Sequence, residues 1–140
     1  MGPLERRSFL KKASGLLGLL SLSTFTFAKS KTMKQTPVYF YHVVYFWLKD
    51  ANDEAVKKTF VSHLKDLTSG ISEIQSAFIG SPAPTDRPVI DNTYTFSIVL
   101  AFNSQKDQDV YQTHPVHLAF IEKAQNMWSK VQVYDSITVG

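Results

Sequence analysis

Apolar and polar positions along this chain fall into blocks of different period, and each block predicts one element. VYFYHVVYFWL, Val38 to Leu48, is aromatic and β-branched and apolar at both alternating sets of positions, which predicts a strand buried on both faces. In the next block Val56, Phe60, Leu64 and Leu67 recur at helical spacing; Asp50 or Asn52 can cap that helix and Gly70 stops it. ISEIQSAFIG gives a short strand ending near Gly80, and SPAPTDRPVIDN, which carries three of the six prolines, is a loop.

TYTFSIVLAF alternates cleanly from Thr93 to Phe102. Tyr94, Phe96, Ile98, Leu100 and Phe102 share one face, and Thr93, Thr95, Ser97, Val99 and Ala101 the other. Ser104 can cap a short helix through Tyr111. In YQTHPVH the proline pushes the residue before it out of the helical region, yet suits the first position of a helix. His114 is therefore expected to cap a further helix that Pro115 opens and that runs to about Trp128, before VQVYDSITV closes the chain as a last strand.

The order βαββαβ is α+β and ferredoxin-like: a four-stranded antiparallel sheet with helices on one face. A bare opposite face carrying Tyr39, Tyr41, Val43, Tyr45 and Trp47 would be a large apolar patch. Two such sheets packed face to face in a homodimer, a dimeric α/β barrel, would cover it. Periodicity leaves open which face of the first strand meets the helices.

The N-terminus changes the charge balance. Arg6 and Arg7 lead a basic stretch through Lys12, followed by an uncharged, moderately apolar segment from Ala13 to Ala28. That pattern suits a cleaved export signal, and RRSFLK resembles the twin-arginine type. Residues 1–28 are the expected signal, 29–37 a polar leader and 38–140 the folded domain, exported to the periplasm or beyond with no stable membrane anchor after cleavage. Residues 1–28 hold four of the 15 basic and one of the 12 acidic residues, so 11 of each remain. A neutral domain carries no nucleic-acid footprint. The absence of cysteine removes disulfides and thiolate nucleophiles, so the fold must rest on its core.

Three candidate polar groups fall on apolar faces. His117 lies on a helical stripe with Phe120, Ile121, Ala124 and Trp128 and so points inward. The free backbone N–H groups of that first turn disfavour an imidazolium, leaving a neutral base suited to acid–base chemistry. His42 shares a face with Phe40, Val44 and Phe46, and Asp135 shares one with Val131, Val133 and Ile137. A carboxylate beside that imidazole would fix its tautomer. Tyr111 could donate a proton at the mouth of the same pocket. The same residues also admit a bland reading, in which His42 and Asp135 are a satisfied polar pair and Tyr111 an ordinary aromatic. His114 is read as a cap and His63 as solvated. The H-x-x-H spacing of His114 and His117 lacks a third ligand and is broken by Pro115, so no metal is expected.

VxFWLKD after a buried histidine, the glycine ending the second strand, and YQTHPVH followed by a helix and VYD resemble the Dabb family, the stress-response A/B barrel domain, over about residues 38–137. The resemblance implies a dimeric ferredoxin-like barrel without a cofactor. A plant member of the family is a cofactor-free polyketide cyclase, whose pocket motifs match His42, Tyr111, His117 and Asp135. By that resemblance His117 is the general base, Tyr111 a positioner and Trp128 a pocket-lining residue; Val44 and Phe46, on the face of His42, are read as supporting the pocket with His42 and Asp135. The chain is thus expected to bind a small aromatic or carbonyl compound and to carry cyclase- or lyase-like chemistry. The alternative is a non-catalytic, stress-protective dimeric barrel. A related cofactor-free monooxygenase is a third possibility, for which no residue speaks.

Overall fold

The computed structural model describes residues 39–139, so the export signal and leader assigned to residues 1–37 lie outside them. The elements are β1 (Phe40–Leu48), α1 (Glu54–Ser69), β2 (Ser76–Gly80), β3 (Phe96–Phe102), α2 (Gln105–Thr113), α3 (Pro115–Ala124) and β4 (Trp128–Ile137). The sheet runs β2-β3-β1-β4 with every neighbouring pair antiparallel. This is the ferredoxin-like arrangement the block order predicts.

The helices cover one face only. Phe40, His42, Val44, Phe46 and Leu48 point beneath them and are buried. On the other face Tyr39 and Tyr41 are exposed, and Val43, Tyr45 and Trp47 are partly covered by neighbouring side chains. The expectation of burial on both faces of β1 therefore holds for one face in a single chain. The core beneath the helices is an aromatic knot. Phe60 of α1 meets Phe46 at 5.1 Å, Phe96 at 5.8 Å, Phe120 at 6.2 Å and Trp128 at 6.1 Å, centroid to centroid.

Several boundaries differ from the sequence expectation, three of them for a clear local reason. The α1 cap is Asp53, whose Oδ1 accepts from Ala55 N at 2.8 Å and Val56 N at 3.2 Å. Asp50 instead closes the preceding turn, accepting from Asp53 N at 3.0 Å, so neither Asp50 nor Asn52 caps the helix. β3 starts at Phe96 because Thr95 bends: its N–H donates to Phe46 O at 2.7 Å and its hydroxyl accepts from Leu48 N at 3.0 Å. The bend carries Tyr94 off the face of Phe96 and against Tyr45 and Trp47, at 4.8 and 6.4 Å. α3 ends at Ala124, and Trp128 begins β4 opposite Leu48, past a register irregularity at Trp47/Leu48. Trp128 is therefore a strand residue. Gly70, the α1 stop, also lets α3 approach: a Cβ there would sit 3.0 Å from Asp66 O and from Val116 Cγ1.

Candidate functional site

The break between α2 and α3 forms as the proline predicts. His114 ends one helix and caps the next, its Nδ1 accepting from Val116 N at 3.2 Å while Pro115 occupies the first helical position. His114 is thus structural, and no group of three or more His, Cys, Asp or Glu that could hold a metal ion occurs among the described residues. His63 is half-buried, lining a crevice between α1 and α3 with Asp66 and Val116, and so is less solvated than expected.

His117, in the first turn of α3, turns its ring back on α2. Its Nδ1 lies 3.0 Å from the carbonyl oxygen of Gln112. A carbonyl only accepts, so Nδ1 carries the proton and donates it, and in the neutral ring the basic lone pair is on Nε2. That carbonyl lies in the last turn of α2, where main-chain oxygens have no helical partner. Sequence reasoning missed it, although the proline that ends α2 is the signal that frees such oxygens. The imidazole pKa falls below its ordinary 6.5 chiefly because burial penalises the charged ring; the Gln112 carbonyl opposes this and nearby His42 adds to it. Burial, rather than the helix N-terminus, is thus the main cause that disfavours the imidazolium.

Behind His117 stands Tyr111, 1% exposed, their ring centroids 4.4 Å apart and tilted by 36°. Burial, reinforced by the charge of Asp135, holds the phenol well above its ordinary 10.0. His42 also packs against Tyr111, at 5.6 Å between ring centroids. The β1–β4 register places His42 directly opposite Asp135, and His42 Nδ1 donates to Asp135 Oδ1 at 2.6 Å. The carboxylate itself is 45% exposed on the outer strand, in contrast to the buried carboxylate the sequence suggested. The fold therefore assembles a row Asp135–His42–Tyr111–His117 from inner strand β1, edge strand β4 and both short helices. Only the two ends of the row reach solvent.

Val44 is adjacent to this row on the face of His42, whereas Phe46 and Trp128 pack in the aromatic knot with Phe60 and Phe120. A solvent-open groove of about 730 Å³ lies elsewhere, along α1, and neither Tyr111 nor His117 lines it.

These shifts set a pH dependence of stability. The depressed His117 value means the unfolded chain binds the proton more readily, so stability is present above about pH 6.5 and falls as the pH drops below it. The raised Tyr111 value means the opposite: stability holds below about pH 10 and falls as the pH rises beyond it. Urea denaturation from pH 5 to 8 should show a midpoint rising with pH, and His117→Gln should flatten that rise.

A family model described as the stress responsive A/B barrel domain matches residues 40–138. No curated protein matches the chain. Among solved structures, a Dabb family protein with a ferredoxin-like fold from Mesorhizobium loti is 26% identical, covers 74% of this chain and 100% of its own, and superposes with a TM-score of 0.62. A hydroxynitrile lyase from Passiflora edulis is 20% identical, with coverage of 74% and 96% and a TM-score of 0.61. A dimeric ferredoxin-like protein of unknown function from Thermobifida fusca is 18% identical, with coverage of 74% and 93% and a TM-score of 0.59.

Proposed function

We propose that this chain, which belongs to the stress responsive A/B barrel (Dabb) family, is an exported homodimer that binds a small neutral carbonyl compound and moves a proton on it without a cofactor. The observation that carries the reading is the pairing of an imidazole, its Nδ1 held by the Gln112 carbonyl at 3.0 Å, with a buried phenol whose ring centroid lies 4.4 Å from its own. His117 Nε2 is the general base and takes a proton from the carbon next to the carbonyl. The Tyr111 hydroxyl, kept protonated by burial, donates a hydrogen bond to the carbonyl oxygen as it gains charge. His42, tied to Asp135, packs against the ring of Tyr111 and helps to hold it. The base sits beside another imidazole and the donor beside a carboxylate, so an anionic substrate finds no partner in this row and a neutral one fits.

Dimerisation through the aromatic sheet face covers Tyr39, Tyr41, Phe78 and Tyr134, which are 42–61% exposed in one chain. The dimeric relative from Thermobifida fusca supports that assembly, and the hydroxynitrile lyase supports lyase-like chemistry on this fold. One observation favours a non-catalytic, stress-protective barrel instead: Tyr111 is closed to solvent, as a residue that only fills the core would be. Deuterium exchange at the methyl group of acetophenone in D₂O separates the two readings. Acid–base chemistry gives saturable exchange that depends on His117, whereas a purely structural role gives the same rate in wild type, in His117→Ala and in buffer.

A further inference from the structure

The groove along α1 lies apart from the histidine row and has its own chemistry. It opens about 730 Å³ between the flank of α1 and residues 93–96, where Thr95 bends the chain ahead of β3, with Ser81 and Pro82 also lining it. Its apolar lining includes Val61, Tyr94 and Phe96, all partly buried. Lys57, Lys58 and Lys65 of α1 line it as well. Its one carboxylate, Glu54, is already paired with Lys57. Lys58 and Lys65 are therefore left as ammonium groups with no carboxylate lining the groove to balance them. This is a local excess of positive charge on residues 29–140, which have as many acidic as basic side chains. The volume lies within the ~300–1,000 Å³ typical of small-molecule sites.

We propose that this groove binds an amphipathic organic anion, with a carboxylate head between Lys58 and Lys65 and an apolar body against Val61, Tyr94 and Phe96. An inorganic anion would leave the apolar side chains wet, and a neutral apolar molecule would leave the two ammonium groups without a counter-charge. A cationic amphiphile is repelled. The site requires nothing of His117, so its occupancy is independent of the proton chemistry proposed above.

Decanoate and decyltrimethylammonium, added below their micelle concentrations to the full chain, test the assignment by ¹H–¹⁵N NMR. Decanoate should shift the amides of Lys58, Lys65, Thr95 and Phe96 in a saturable way and decyltrimethylammonium should not. The double variant Lys58→Glu/Lys65→Glu, at exposed helix positions that leave the core untouched, should weaken decanoate by about tenfold or more. His117→Ala should bind it as wild type does. Equal decanoate affinity in wild type and the double variant would overturn the site, as would shifts centred on Tyr111 and His117 or equal binding of the two amphiphiles.

Discussion

Replacing His117 by Ala is expected to lower the rate of proton exchange on a carbonyl probe by about 10²–10⁴-fold, the range over which a positioned general base acts. The loss should fall on the maximal rate and leave the half-saturating concentration little changed, because the base works in the transition state and contributes little to ground-state binding. The protein should remain folded. His117 is half-buried at the start of α3, and the cap and first helical position belong to His114 and Pro115. Tyr111→Phe should also slow exchange, through loss of the donor. Because Tyr111 packs against Phe102 at 5.3 Å and against both histidine rings, Phe preserves the shape while removing the hydroxyl. A His117→Ala protein that exchanges the probe at the wild-type rate would remove the base from the account.

Phe60→Ala is expected to cost about 3–5 kcal/mol of folding stability, as deletion of a fully buried aromatic ring does. Phe60 is fully buried and its ring meets four others, two from the helix-facing side of β1 and β3, one from α3 and one from β4. Its removal therefore opens a cavity where all the layers meet, and stiff rings cannot close it by small rotations. For a domain whose whole stability is on the order of 5–15 kcal/mol, such a loss takes a large share. Urea denaturation should show a much lower midpoint with an unchanged slope. A loss under about 1 kcal/mol would mean the knot repacks freely, contrary to the density of its contacts.

Much of this was legible in the sequence, and the misses have physical causes. Alternation in β1 put His42 among Phe40, Val44 and Phe46, and alternation in the last strand put Asp135 among valines. Strand pairing then brought the two directly opposite, which period alone could not guarantee. The proline in YQTHPVH located His114 as a cap because its effect on backbone geometry is local. Trp128 was misplaced onto the helix because a short turn, with Met127 N bonded to Ala124 O at 2.9 Å, keeps apolar spacing running after the helix has stopped. Tyr94 left its expected face because the bend at Thr95 is fixed by β1, a non-local partner. The orienting group of His117 is a main-chain oxygen, and side-chain patterns carry no record of it.

In the proposed chemistry His117 is a neutral base with its proton on Nδ1 at physiological pH. A ¹H–¹⁵N NMR titration of the imidazole between pH 4 and 8 measures both properties at once. The expected result is a pKa below 6.5 and, in the neutral ring, ¹⁵N shifts of a protonated Nδ1 and a bare Nε2. A pKa above 6.5, or a proton on Nε2 in the neutral ring, would contradict it.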